Sequence, residues 1–202
     1  MGARAVIIAL TLSLCTIGFQ SRAAAAQQDF FVKPVAEKKL KQLPAGPLYW
    51  RIETFPTLAQ ARAAAGETSL AGEVSGRVWL FTLGAKGGST PGGSKVAEIG
   101  PVPPIAAPEY LLRINHAGGP PGAKTAVHSH PGSEAFYVLA GRVGQRTQGG
   151  VNYAEAGHFM NGHPAGTTME VFSAGAADLD QLVMFLVDAT KPFSSPGRFE
   201  GE

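Results

Sequence analysis

The chain has 202 residues, a formal net charge of +2 and 45% hydrophobic residues, which is enough apolar material for one globular domain with a buried core. Charged residues make up 16%, too few for a disordered polar chain, and no basic block supports nucleic-acid binding. One cysteine excludes an intramolecular disulfide and a CxxC metal site, while 26 glycines and 15 prolines indicate many turns, as in an all-β fold.

Residues 1–26 have the organisation of a secretory signal peptide. Arg4 precedes an apolar run over residues 5–19, which is shorter than the roughly 20 residues that a membrane-spanning helix needs. The run Ala24-Ala25-Ala26 then provides a small-residue cleavage site. We predict a Sec-type signal peptide of a bacterial protein, cleavage near Ala26 and a periplasmic or secreted location without stable membrane association. An uncleaved membrane anchor is the alternative.

Removal of this leader changes the charge of the protein. Arg4 and Arg22 both leave with it, so the mature chain has 15 basic and 15 acidic residues and is formally neutral. Cys15 leaves as well, so the exported protein is predicted to contain no thiol.

The part of the chain that follows the leader divides into an arm, one domain over residues 46–191 and a tail. Residues 27–45 are polar and rich in lysine, and predict a short solvated helix or an extended arm. The first predicted elements of the domain are a strand at 50–53, a helix at 57–65 with Thr57 as its N-cap and Gly66 as its stop, and a strand at 74–83. Residues 84–108 carry six glycines and five prolines, which is typical of a plain loop or of an active-site lid.

Short apolar runs bounded by glycine or proline recur after Pro108 and predict a sandwich or barrel of antiparallel strands. The runs are Glu109–His116, Lys124–His128, Glu134–Ala140, Val151–Glu155, Thr167–Phe172 and Gln181–Val187. Residues 144–146 and 149–150 are interpreted as hairpin turns, and residues 192–202 as a flexible tail.

The run His128-Ser129-His130 is the strongest chemical motif in the chain. Residues two apart on a strand point to the same face, so this spacing presents two imidazoles side by side. The turn-like residues 131–133 can bring Glu134 back to face them. Two imidazoles and one carboxylate can bind Fe, Mn, Ni, Cu or Zn as divalent ions and leave coordination positions open.

The wider spacing around this motif resembles the first motif of the cupin superfamily. That motif consists of a glycine, five residues, His-x-His, three or four residues, a glutamate, six residues and a glycine. Its five positions are occupied here by Gly122, His128, His130, Glu134 and Gly141. The resemblance covers residues 109–190 and implies an antiparallel double-stranded β-helix, or jelly-roll barrel, here with a short N-terminal helical segment and a metal inside the barrel. Residues 46–108 match no motif and are a source of extra strands.

The second cupin motif is only partly present. Gly157 and the turn Pro164-Ala165-Gly166 are in place with a spacer one residue longer than usual, but the position of the fourth ligand, normally histidine, is occupied by Met169. Three arrangements therefore stay open: the first three ligands alone with water, a fourth ligand from the Met169 thioether, or a fourth ligand from His163 or His158 in the preceding loop. A cupin without metal is a further alternative.

The resemblance implies a cupin that binds one divalent transition metal and acts on a small molecule as an oxygenase, isomerase or lyase. A non-catalytic periplasmic protein that binds a metal or a small ligand is the alternative, and a homodimer is an expectation from the family. Phe136 and Val138 share strand parity with Glu134 and are candidates for a substrate pocket, as is Arg113 if its face lines the barrel. Tyr137 is expected to pack outside the barrel, and His116 to be a satisfied or surface histidine.

Overall fold

Fourteen strands and one short helix make up the described part of the chain, which comprises residues 1–2 and 29–201 of a computed structural model. The predicted signal peptide lies almost entirely outside these residues. The strands are β1 (Phe31–Leu40), β2 (Tyr49–Phe55), β3 (Ser69–Val74), β4 (Arg77–Gly84), β5 (Ser94–Ile99), β6 (Tyr110–Gly119), β7 (His128–Ser129), β8 (Gly132–Ala140), β9 (Arg142–Thr147), β10 (Gly150–Glu155), β11 (Phe159–Met160), β12 (Met169–Ser173), β13 (Leu179–Asp188) and β14 (Ser195–Pro196). The helix is α1 (Leu58–Ala64). Among these residues, no helix has the length and apolar character needed to cross a membrane.

Two five-stranded antiparallel sheets face each other and form the barrel. The first has the strand order β1-β6-β13-β8-β11 and the second the order β10-β9-β12-β7-β14. Apolar side chains from both sheets meet in one buried cluster, which includes Phe136, Val138, Val143, Val171 and Val183. The predicted all-β jelly-roll architecture is therefore confirmed.

A third sheet, of order β3-β4-β2-β5, covers the outer face of the first barrel sheet. Its tryptophans Trp50 and Trp79 are fully buried in a second apolar cluster, together with Leu112 of β6 and Met184 of β13. Residues 46–108 thus do supply extra strands, but these form a separate layer and do not join the barrel sheets. The layer gives the first barrel sheet an apolar environment on both faces.

Alternation along β8 places the candidate residues as the sequence predicts. Glu134, Phe136 and Val138 point into the barrel, whereas the ring of Tyr137 points outward and lies 6.4 Å from the ring of Trp79. On β12, Met169 is buried inside, and Glu170 faces outward to form an ion pair with Lys124 at 2.8 Å.

The helix is the local element that the sequence predicts best. Thr57 caps α1 by accepting a hydrogen bond from the backbone N–H of Gln60 at 3.2 Å, and the helix ends at Ala64, just before Ala65 and Gly66.

Four other predictions are corrected by the structure. Residues 144–146, interpreted as a hairpin turn, are the centre of β9, because β9 pairs with β10 on one side and with β12 on the other. Residues 84–108 are not one irregular loop, since they contain β5, which pairs with β2. Of the two alternatives for the lead-in 27–45, the helix is wrong, and the extended segment is not a free arm because its strand β1 pairs with β6. The run Lys124–His128 holds only an isolated bridge and the first residue of β7.

A fifth prediction, the flexible tail over residues 192–202, is also corrected by the structure. Its described residues contain β14, which pairs with β7, and Phe199, which is buried beneath the guanidinium of Arg146. These contacts hold the tail against the second barrel sheet.

Candidate metal centre

His128, His130 and Glu134 meet at one end of the barrel. Each offers a ligand atom, and these three atoms all lie within 4.8 Å of one another. The turn Pro131-Gly132 carries the chain from the second barrel sheet to the first, and a side chain at Gly132 would collide with the backbone of Leu186. The close approach allowed by this glycine places Glu134 opposite the two imidazoles, as predicted.

Backbone carbonyls fix the orientation of both imidazoles. Nδ1 of His128 donates to the carbonyl oxygen of Ala126 at 2.8 Å, and Nδ1 of His130 donates to that of Phe193 at 2.6 Å. A carbonyl oxygen can only accept, so each Nδ1 carries a proton, and in the neutral form of each ring the lone pair is therefore on Nε2. This tautomer suits both histidines for ligation through Nε2.

Gln145 of β9 holds the carboxyl group of Glu134. Its amide nitrogen donates to Oε1 of Glu134 at 2.9 Å and to the thioether of Met169 at 3.3 Å, and its amide oxygen accepts from Nε2 of His163 at 3.0 Å. Gln145 is completely buried, so these bonds are shielded from water. The second carboxyl oxygen of Glu134 faces Nε2 of His130 at 3.6 Å.

Burial shifts the pKa values of the two inner groups in opposite directions. It raises the pKa of Glu134 from 4.5 to about 8, against the lowering effect of the hydrogen bond from Gln145. It lowers the pKa of His130 from 6.5 to about 4, assisted by His128 and Arg113 and opposed by the bond to Phe193. Both groups are therefore mainly uncharged at neutral pH without a cation, so their 3.6 Å contact is not an ion pair.

Of the three candidates for a fourth ligand, Met169 and His163 both contact Gln145. His163 and Met169 bind opposite ends of its amide, and Gln145 in turn contacts Glu134. The loop that carries His163 is held against the site because Gly162 packs on the backbone of Glu134 so closely that a side chain would clash. Whether either residue completes the coordination of a metal stays a prediction.

The remaining histidines lie elsewhere. His158 is exposed, and its Nδ1 donates to the carbonyl of Ala156 at 3.2 Å. His116 is partnered by Asp180 at 2.6 Å, which confirms the expectation of a satisfied histidine.

A cavity of about 300 Å³ leads from the three candidate ligands into the barrel. Its wall is mainly apolar and includes Phe30, Phe136, Val183, Phe185 and Phe193, with Asn115 and Gln181 as buried polar residues. Phe136 therefore lines the cavity, and its role in a substrate pocket stays a prediction.

Two other pocket candidates lie outside the wall of this cavity. Val138 is fully buried in the barrel core. Arg113 points its guanidinium over the ring of Phe193 at 4.5 Å, donates from Nε to Asn115 at 2.9 Å and reaches Glu37 at 3.6 Å. The three partners hold this guanidinium behind the wall.

Three site residues are missing from the predictions based on sequence. From the sequence, Gln145 falls in a predicted turn, Phe193 in the predicted tail and Gln181 in a predicted strand without a role. The alternation of Val143, Gln145 and Thr147 is the signal that identifies β9 and places Gln145 on the face that points into the barrel. No sequence pattern predicts that the carbonyl of Phe193 accepts a hydrogen bond from His130.

The donor set fits a divalent transition-metal ion. Two neutral imidazoles and one carboxylate suit Fe, Mn, Ni, Cu or Zn, and three protein ligands leave positions for water or substrate. His128 lies in β7 of the second barrel sheet, His130 directly follows β7, and Glu134 lies in β8 of the first sheet, within an antiparallel double-stranded β-helix. The barrel is cupin-like.

Solved structures similar to this chain include other cupin-like barrels. A cupin-like protein from Thermotoga maritima is 18% identical, covering 45% of this chain and 75% of that one, with a TM-score of 0.39. A DMSP lyase from Ruegeria pomeroyi is 22% identical, covering 45% of each chain, with a TM-score of 0.38. An oxalate oxidase in complex with the substrate analogue glycolate is 19% identical, covering 42% of this chain and 45% of that one, with a TM-score of 0.36.

Each match covers less than half of this chain, and the lyase and the oxidase are covered over less than half of their own length. No family model and no curated protein matches the sequence.

Proposed function

We propose that this protein binds one divalent transition-metal ion through His128, His130 and Glu134 and acts on a small molecule inside the barrel. One observation carries the proposal: both imidazoles donate from Nδ1 to backbone carbonyls, which leaves two Nε2 lone pairs beside a buried carboxyl group. Because His130 is uncharged at neutral pH, its lone pair is available without the loss of a proton.

The cavity gives this site room for a substrate. A metal ion bound there supplies Lewis-acid character, and reactions of the oxygenase, isomerase or lyase type are compatible with it. The chain's own residues hold the ligand atoms in place and exclude water through the apolar wall. Glu134 would release its proton to solvent when it ligates a metal ion. An enzyme is thus the first candidate, with the reaction class open.

Metal content tests the assignment. Mature protein (residues 27–202) is incubated with Fe(II), Mn(II), Ni(II), Cu(II) or Zn(II) and passed through gel filtration. Elemental mass spectrometry should then find about one metal ion per chain. The double variant His128→Ala/His130→Ala should lose at least nine-tenths of this metal. His158→Ala removes an exposed histidine and serves as the matched control, with unchanged content expected. Equal metal in the double variant and the wild type contradicts the proposal.

A non-catalytic metal-binding protein is the second candidate, favoured by the buried Met169 thioether beside Gln145. A thioether ligand suits a soft ion such as Cu(I) and fills a position that a substrate needs. X-ray absorption of the metal-loaded protein separates the two candidates, because a metal–sulfur distance supports the binding protein and its absence supports the open site.

We infer from residues 1–26 that the protein is exported and that it works in the periplasm or outside the cell. The expected first residue of the mature chain is Gln27. Mass spectrometry of the full-length product after expression in a bacterium tests this, and an intact leader on protein in the membrane fraction contradicts it.

A further inference from the structure

The cavity contains a buried amide that has no hydrogen-bond partner. Gln181 of β13 is completely buried and lines the cavity, and neither its amide nitrogen nor its amide oxygen is bonded to the protein. Buried polar side chains are nearly always paired, because an unpaired amide loses its bonds to water without replacement. Of the other side chains that carry an unpaired buried polar atom in the described part of the chain, Arg142 and Ser173, neither lines this cavity.

The surroundings of Gln181 make its polarity conspicuous. Its neighbours on the adjacent strands are Ala117 of β6 and Val138 of β8, and the next residue along the same face of β13 is the apolar Val183. A leucine or methionine would fill this position without an unpaired group. Packing alone therefore does not explain why an amide side chain occupies this position.

Gln181 lies at the far end of the cavity from the candidate metal centre. Its partner in the sheet, Val138, lies four residues from Glu134 on β8, which corresponds to about 13 Å along the strand. The side chains of Glu134 and Gln181 both line the cavity, with the ring of Phe136 between them in the wall. A ligand with a ring-sized apolar body can contact both ends of such a cavity at once.

The charges of the cavity wall indicate which kind of ligand group can bind to Gln181. No lysine or arginine occurs among the described residues of the wall, and its acidic member is Glu134. A charged group at the Gln181 end would be buried without a counter-charge, which is strongly unfavourable. A carboxamide offers one donor and one acceptor to a partner, so the complementary ligand group is neutral and offers both in return.

We propose that Gln181 is a specificity-determining residue that binds a neutral donor–acceptor group, such as a carboxamide, at the distal end of a small and mainly apolar substrate. The opposite end of that substrate carries an oxygen donor directed at the metal. The inference rests on the proposed function, since it takes the metal centre as the other anchor.

A pair of probes of nearly equal shape tests the role of this amide. In 4-carbamoylbenzoate the para group can donate and accept hydrogen bonds, whereas 4-isopropenylbenzoate replaces both atoms by carbon. Isothermal titration of the Ni(II)-loaded protein should show that the carbamoyl probe binds about tenfold or more tightly, because the apolar probe leaves the buried amide unpaired. Gln181→Met should abolish or reverse this preference.

A matched variant and two further measurements make the result unambiguous. Gln148→Met makes the same chemical change at an exposed glutamine and should keep the wild-type preference. Ligand-free Gln181→Met should melt at the same temperature as the wild type or higher, because it removes a buried unpaired group. Its nickel content should equal that of the wild type.

The outcomes separate this inference from the proposed function. Equal affinity of the wild type for the two probes, no measurable binding of the carbamoyl probe, or the same preference in Gln181→Met overturns the role of Gln181. A large drop in melting temperature with an unchanged preference also overturns it, because the amide is then a structural group bonded to buried water. Failure of the wild type to retain nickel contradicts the proposed metal centre instead.

Discussion

Glu134 is the residue at which folding and metal binding compete most directly. Its carboxyl group is buried, and burial holds its pKa at about 8, whereas the unfolded chain has the ordinary value of 4.5. Between these values the folded, metal-free protein keeps a proton that the unfolded chain releases. The free energy of unfolding of the metal-free protein must therefore fall as the pH rises through this window.

The neighbouring His130 acts in a separate pH window. Its pKa is lowered from 6.5 to about 4, so the stability of the folded state falls as the pH drops from 6.5 towards 4. Above pH 6.5, Glu134 alone of this pair titrates differently in the two states.

We predict that the free energy of unfolding of the metal-free wild type falls by up to about 2 kcal/mol between pH 6.5 and 8, relative to that of Glu134→Gln. Urea denaturation at a series of pH values measures both proteins. The variant keeps a neutral group of nearly the same shape and lacks the titration. Added metal should remove this fall in the wild type's free energy of unfolding with pH, because a bound cation favours the ionised carboxylate. If the free energy of unfolding of the two metal-free proteins changes with pH in the same way, the pKa of Glu134 is not raised in the folded state.

Gln145 positions the carboxyl group of Glu134 without being a candidate ligand. We predict that Gln145→Leu lowers metal affinity by about 10- to 100-fold, because Glu134 and His163 both lose a buried hydrogen-bond partner. Titration with a metal indicator dye measures the change. Gln148→Leu, at an exposed position, is the control and should match the wild type. Equal affinity in all three proteins would reduce Gln145 to a packing residue.

The sequence predicts the candidate ligands better than the residues that orient them. His128, His130 and Glu134 follow from strand parity, a turn and the spacing of the first cupin motif, all of which are local properties. Gln145 and the carbonyl of Phe193 lie 11 and 63 residues away from their partners in the chain. Such contacts depend on how the two sheets close, which no local pattern contains.

At the scale of elements, the C-terminal segment completes the candidate site. Phe193 supplies the carbonyl that accepts from His130, and its ring lies 4.8 Å from that imidazole. Further on, Pro196 of β14 pairs with His128, and Gly197 donates from its N–H to Val127 at 2.9 Å. The segment therefore touches the strand of one candidate ligand and the side chain of the other.

We predict that truncation after Pro192 lowers metal affinity about 10- to 100-fold although it removes no ligand, because His130 loses the acceptor that fixes its tautomer. Phe193→Leu keeps the backbone carbonyl, so it should retain most of the affinity. Truncation after Glu200 is the control for the length of the chain. A truncated protein that folds by circular dichroism and binds metal as the wild type does would contradict this role.

Elements outside the cupin resemblance were the hardest to predict. Strand β1 carries the lysine-rich run 37–41, which reads as solvated, yet its pairing with β6 makes it an edge strand, where charged side chains face water. β5 is not predicted from sequence because it lies in a segment of high glycine and proline content. Both strands are stabilised by a partner that is distant in sequence, so the tertiary pairing overrides the local composition.

At the scale of the whole molecule, the third sheet and the barrel share one apolar cluster. Trp79 of β4 is fully buried, its indole N–H donates to the carbonyl of Val74 at 3.1 Å, and its ring contacts Tyr137 of β8, three residues from Glu134. Because β8 lies between this layer and the cavity, unfolding of the third sheet would expose the strand that carries the candidate ligand.

We predict that the described part of the protein unfolds in a single cooperative transition and that Trp79→Ala destabilises it by about 3–5 kcal/mol. For a chain of this size each kcal/mol lowers the melting temperature by roughly 2–4 °C. Differential scanning calorimetry should give equal calorimetric and van't Hoff enthalpies for both proteins. Val96→Ala, at an exposed position of the same sheet, should change stability by less than about 0.5 kcal/mol. Two separate transitions, with the Trp79 change affecting only one, would show that the third sheet and the barrel fold independently.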